Sequence, residues 1–249
     1  MITKSDVKYI QSLAHKKFRE SEGVFVIEGV KMVGELIDEF PNHIVQLFAT
    51  EEWVDDISGH NLEGFRLSII DNLMLDRISQ LKSPNKVLAI VKMPIQSTHT
   101  STLNKLTLVL DQIQDPGNLG TIIRTCDWFG VQNILCSMDT VDAYNPKTVQ
   151  SAKGSLLRVN IQYVDIKDFL SSTKEATIYA AALDGNSIYN IKMQEPAIIV
   201  IGSEASGISK EVLALANKKI TIPKVGKAES LNAGIAAAII MSNFTKLSI

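Results

Sequence analysis

Residues 110–131, LDQIQDPGNLGTIIRTCDWFGV, decide the reading of this chain. They continue an apolar run over 106–113 whose length and β-branched content predict a buried strand. Asp115-Pro116-Gly117 breaks that strand, because proline and glycine together punctuate a turn. A helical pattern follows over 118–129, and Gly130 stands where a helix end takes a left-handed residue. At about 100° per residue, Gly117, Gly120, Arg124 and Trp128 share one side of that helix. Two positions without side chains beside a guanidinium leave room for a ligand to approach backbone. Close helix packing under a surface arginine fits the same pattern.

Strand and helix signals alternate downstream. Strands are expected at 134–136, 159–164, 178–182, 197–201 and 219–222, with helices at 145–150, 166–172 and 210–216. Residues 230–244 carry no charge, and a helix apolar all round must be buried on every side. Glycine- or serine-rich turns follow strands at 115–120, 202–207 and 223–232. In open α/β sheets ligands bind beyond the carboxyl ends of the strands, so these turns are expected to converge. They contribute Asn118, Glu204, Ser230 and Asn232, and Arg124 adds a cation. None is a G-x-G-x-x-G turn and no Walker lysine motif is present, which leaves a standard dinucleotide site unsupported. A nucleotide-like ligand stays open.

Upstream, a helix over 1–13 and a basic turn at 15–19 lead into strands at 23–27, 44–48, 66–70 and 87–91. Helices at 29–38, 51–56 and 72–81 alternate with them, a compact α/β unit. The Ser/Thr-rich stretch 94–104, PIQSTHTSTLN, reads as a linker. A net charge of −2 from 25 basic and 27 acidic residues excludes a global basic field. Local patches remain: Lys8, Lys16, Lys17 and Arg19 within 7–19, and Lys218, Lys219, Lys224 and Lys227 within 212–228, both without acids. Such patches bind phosphates or are simply solvated faces.

Cys126 and Cys136 are too few for a disulfide framework or a zinc site and read as buried thiols. His15, His43, His60 and His99 have no metal-ligand spacing, and no histidine follows them to complete a Ser-His-Asp triad in the second unit. Asp111 and Asp115 are read as flanking and capping the turn, with a catalytic carboxylate pair as the alternative. The N-terminus lacks an apolar signal region and no apolar stretch approaches the ~20 residues of a membrane span, so a cytoplasmic protein is expected.

Asn118-x-Gly120-x-x-x-Arg124, then Glu204 within IVIGSEASG at 199–207, then Ile222-Pro223 with Ser230-Leu231-Asn232, occur in that order. Together they resemble the three motifs of the SpoU/TrmH family of the SPOUT superfamily, over residues 105–245. Phe25-Val-Ile-Glu-Gly29 and the strand at 87–91 resemble the L30e-like domain often found ahead of it. Ala233-Gly234 departs from the Val-Ser of many members, small for small.

The resemblance implies an α/β chain with an L30e-like RNA substrate-binding domain at 1–93, a linker at 94–104 and a trefoil-knotted methyltransferase domain at 105–249. It implies S-adenosylmethionine-dependent 2′-O-ribose methylation of RNA, with 23S rRNA favoured over tRNA, by a homodimer that needs no metal and no membrane. The cofactor is then expected at Leu183, Ile201, Gly202, Gly207, Ile222 and Leu231. Asn118 would orient and Arg124 hold a phosphate or the attacking oxygen. Glu204 would fix its turn, and Ser230 and Asn232 would bond ribose or neighbouring groups. Lys16, Lys17 and Arg19 are expected to contact RNA phosphates. Two other classes stay open: a catalytically silent RNA-binding or ribosome-assembly protein, and a nucleotide-dependent enzyme acting on a small molecule.

Overall fold

The structure, a computed structural model, describes residues 2–57, 62–94 and 106–245. The expected linker lies outside the described residues from position 95 onward. In chain order the elements begin α1 (Lys4–Ser12), α2 (Lys16–Glu22), β1 (Val24–Glu28), α3 (Val30–Glu39), β2 (Ile44–Ala49), α4 (Glu51–Asp56), β3 (Leu67–Ile69), α5 (Asn72–Ile78) and β4 (Val87–Lys92). They continue β5 (Leu106–Asp111), α6 (Pro116–Trp128), β6 (Asn133–Ser137), α7 (Pro146–Ala152), β7 (Asn160–Val164), α8 (Ile166–Ser172) and β8 (Thr177–Ser187). The last are β9 (Ala197–Gly202), α9 (Lys210–Leu213), β10 (Lys218–Thr221) and α10 (Ala233–Phe244).

The chain forms two compact units: Met1–Ile95 with Tyr144–Leu157, and Gln96–Ala143 with Arg158–Ile249. Residues 144–157, within the span 105–249 expected for the second domain, thus pack with the first unit. Thr148, Val149 and Ala152 of α7 are buried, α7 packs on β1, and the Tyr144 ring lies 4.9 Å from that of Phe25. Gln150 Nε2 donates to the Glu28 carbonyl at 3.4 Å. A partner more than a hundred residues away leaves no periodic signal in the sequence.

The first unit's four-stranded sheet has the order β1-β4-β2-β3, with β4 antiparallel to both neighbours and β3 parallel to β2. Val24, Val26, Phe48, Leu88 and Ile90 meet Ile10 of α1 and Ile78 of α5 in one core. A capping box starts α1, in which Thr3 and Asp6 each accept from the other's backbone N–H. Asp71 caps α5 by accepting from Met74 N–H at 2.7 Å. The expected basic turn is instead the helix α2, ended by Gly23 at φ 65° in the left-handed region that favours glycine.

The second unit's six-stranded sheet has the order β10-β8-β9-β5-β6-β7, and every neighbouring pair is parallel. A parallel sheet is covered on both faces, which accounts for the unbroken apolar runs of β5 and β9. The chain leaves β5 toward β6 and β7, then returns to build on the other side of β5. The carboxyl ends of β5 and β9 thus lie side by side at the switch point, Asp111 opposite Gly202.

Asp115 starts α6 by accepting from Asn118 N–H at 2.9 Å, with Pro116 in the first turn where its missing N–H costs nothing. β8 runs well past the expected 178–182. The helix expected at 210–216 is only α9. Ala233, Ala237, Ile240 and Met241 of α10 are buried, with Cys126 Sγ of α6 3.6 Å from Met241 Sδ. Ile235 is 52% exposed, so in the single chain α10 is covered on one side and not all round. No helix among the described residues is long and apolar enough to cross a membrane.

Candidate active site

The site begins at the end of β5. The buried Asp111 carboxylate accepts from Ser209 N–H at 2.7 Å, tying β5 to the chain that follows β9. Asp111 and Asp115 therefore hold separate backbone groups. At Gly202 an added Cβ would lie 2.1 Å from the Gly207 carbonyl carbon and 2.3 Å from Ile208 N. Only glycine lets the turn close on itself, through Ser203 N–H to Gly207 O at 3.2 Å and Gly207 N–H to Ser203 O at 2.9 Å.

That turn presents Glu204 to the other two motifs. Its Oε1 accepts from Asn118 Nδ2 at 2.8 Å, from Asn232 Nδ2 at 2.6 Å and from Ala233 N–H at 3.0 Å. Asn232 Nδ2 also reaches Asn118 Oδ1 at 2.8 Å, while Asn232 Oδ1 caps α10 through the N–H groups of Gly234 and Ile235. Residues from the ends of three elements are thus closed into one network. Among the described residues no donor reaches Glu204 Oε2. At Gly234 a Cβ would sit 3.1 Å from Thr121 Cγ2, so a small residue suits the contact between α10 and α6.

Beside the network lies a cavity of about 680 Å³. Leu183, Ile201, Gly202, Gly207, Ile222 and Leu231, the positions expected at the cofactor, all line it, as do Glu204 and Ser230. Asn118, Asn232 and Arg124 are not part of its wall. Arg124 is exposed on α6 and has no hydrogen bond or ion pair among the described residues. On its side of the helix Gly120 is buried, so backbone is not open to a ligand there, and Trp128 is 84% exposed.

The expected phosphate contacts in the first unit separate. Lys16 and Lys17 are exposed. Arg19 is 2% exposed, and its Nη1 donates to the carbonyls of Leu13 at 2.8 Å and Ala14 at 2.7 Å. It holds the junction of α1 and α2 and cannot present its charge to RNA. Glu28, which the sequence reading passed over, is also buried. Its carboxylate accepts from Ser79 Oγ and from Gln80 N–H at 2.8 Å, and burial pushes its pKa up.

Burial likewise pushes the thiols of Cys126 and Cys136 up, which keeps them protonated and unreactive. No group of three or more metal-ligand side chains occurs among the described residues.

Residues 105–242 match the SpoU rRNA Methylase family. The chain belongs to that family. Residues 4–89 match the MRM3-like substrate binding domain. The 23S rRNA (guanosine(2553)-2′-O)-methyltransferase RlmP of Bacillus subtilis is 29% identical, over 94% of each chain. The structure of a putative RNA methyltransferase of the TrmH family from Porphyromonas gingivalis is 34% identical, covers 98% of each chain and superposes with a TM-score of 0.86. An AdoMet-bound rRNA methyltransferase from Sinorhizobium meliloti is 27% identical, covers 98% of this chain and 95% of its own, and gives a TM-score of 0.84. The network at Glu204 and the six-stranded parallel sheet both lie within the residues that match the SpoU family.

Proposed function

We propose that this chain methylates a ribose 2′-hydroxyl of ribosomal RNA with S-adenosylmethionine. The observation that carries the proposal is the closure of three motifs on Glu204 at the rim of one cavity. The Bacillus relative, by its name a 23S rRNA enzyme, and the AdoMet-bound neighbour support it. The cavity suits the cofactor, because apolar side chains line it together with the turns at 202–207 and 223–231 and its volume of about 680 Å³ lies in the small-molecule range. Leu183, Ile201, Gly202, Gly207, Ile222 and Leu231 would hold it. When bound, it supplies a methyl group on a sulfonium, a leaving group that needs no metal.

The chain's own residues then handle the hydroxyl. Three donors on Oε1 fix the Glu204 carboxylate and leave Oε2 to accept the hydroxyl proton. Asn118 and Asn232 set its orientation, and Ser230 supplies a further hydrogen bond at the rim. Arg124 keeps its own proton and places a planar fork of donors on a phosphate and the developing oxyanion. Lys16 and Lys17 contact RNA phosphates.

The reading extends to a trefoil-knotted chain, a cytoplasmic location and a homodimer. Support for the dimer comes from α10 and α6, which leave Ile235 and Trp128 open to solvent in the single chain. Incubation with methyl-labelled S-adenosylmethionine and deproteinised ribosomal or transfer RNA tests the activity. Label is expected in the large ribosomal RNA as alkali-resistant ribose methylation. Label in transfer RNA alone overturns the substrate, and cofactor binding with no transfer to either RNA favours a silent RNA-binding protein.

A further inference from the structure

One wall of the cavity is an arch in β8. Lys219 pairs with Ala180, but the next residue of β10, Ile220, pairs with Asn186. Residues 181–185 therefore stand out of the ladder, with Ala181, Ala182 and Leu183 against the cavity and Leu183 76% exposed. The arch is held to β10 at three positions, the first a 3.4 Å hydrogen bond from Thr221 Oγ1 to the Leu183 carbonyl. A Cβ on Gly185 would lie 2.5 Å from the Ile220 carbonyl carbon and 2.6 Å from its N, so backbone rests directly on backbone. At Asp184, Lys219 Nζ donates to Oδ2 at 2.7 Å, a hydrogen bond that holds this carboxyl below the usual carboxylate range.

The neighbouring lysine is engaged elsewhere. Lys218 Nζ reaches Gln194 Oε1 at 3.2 Å and lies over the Tyr179 ring. Among the described residues, Lys219 is thus the cation that fastens the arch. A solvent-facing arch without such a tie would have to be ordered whenever a ligand binds against it, at a cost in affinity.

We propose that the Asp184–Lys219 ion pair is a positioning pair for the cofactor, holding residues 181–185 in the shape that binds S-adenosylmethionine. The proposal rests on the reading of this cavity as the cofactor's site. Neither side chain needs to touch the cofactor, and the pair acts on its affinity and not on the transfer step.

Calorimetric titration of the full-length protein with S-adenosylmethionine tests it, using Asp184→Asn, Lys219→Met and the charge-swapped double variant Asp184→Lys/Lys219→Asp. Each single variant should raise Kd about twofold to fivefold, the range of an exposed ion pair, with an unchanged thermal midpoint. The swap should return Kd toward the wild-type value. The wild-type advantage should shrink at high salt. In turnover, KM for the cofactor should rise while kcat holds. Lys86→Met, which breaks the pairs with Glu52 and Asp56 in the first unit, should leave Kd unchanged. Single variants that bind like wild type overturn the proposal, and so does a swap no better than either single change. A wild-type protein that binds no S-adenosylmethionine removes the cavity reading and the pair's role with it, a result distinct from both.

Discussion

Arg19 in the first unit is buried and donates to the carbonyls of Leu13 and Ala14, whereas Arg124 in the second is exposed and has no partner among the described residues. The carboxylates divide the same way. Glu28 is buried under Ser79 and Gln80, while Glu204 stands exposed at the rim of a cavity with one oxygen saturated and the other free of donors among the described residues. A buried charge must be met by fixed partners because desolvation is expensive, and once met it is structural. A charge left in solvent at a strand's end is available to a substrate. The side chain's chemistry is the same in both cases, and burial decides its use.

The largest effect expected from this contrast is at Arg124. Arg124→Lys keeps the charge but loses the planar fork, so single-turnover rate should fall about 10²–10³-fold, the scale of one oxyanion donor, with cofactor affinity near normal. A variant with nearly full rate shows that a point charge suffices. A variant that no longer binds cofactor places Arg124 in the cavity's machinery.

Arg19→Met should act on stability alone. Two carbonyls lose their donor in a buried setting, which costs about 2–4 kcal/mol, and urea unfolding followed at the buried Trp53 measures it. An unchanged midpoint with weakened RNA binding would reverse the contrast.

The smallest effect belongs to Lys16→Ala/Lys17→Ala. RNA affinity should drop and its log–log salt slope flatten by about 1–2, while stability and the rate at saturating RNA hold. A collapse in rate with binding intact removes these lysines from the phosphate surface.

Much of the fold was legible because local chemistry and tertiary environment agree. The helix at 166–172 and the strand at 197–201 carry their period, cap and burial within a few residues. The convergence of Asn118, Glu204 and Asn232 was legible too, since Asn118 opens α6 and the other two stand in turns, all at one end of a parallel sheet. The sequence misled where distant packing decides. The cluster at 16–19 looks like a charged turn, yet α2 forms because Arg19 folds inward and Gly23 ends the helix. The arch at 181–185 shows no strand-breaking residue at its start, and only the register against β10 reveals it. At Gly202 the requirement for glycine also comes from Gly207 and Ile208 in its own turn, a closeness the sequence does not show.

The membership of Tyr144–Leu157 in the first unit sets a schedule for synthesis. When residue 94 leaves the ribosome that unit still lacks α7, and its last piece is made about 60 residues later, roughly 3–12 s at 5–20 residues per second. Throughout that interval Phe25 and its neighbours on β1 have no Tyr144 and no α7 to cover them. A fragment ending at residue 94 lacks that cover altogether. Cutting the chain after residue 94 therefore removes α7 from the unit it packs with.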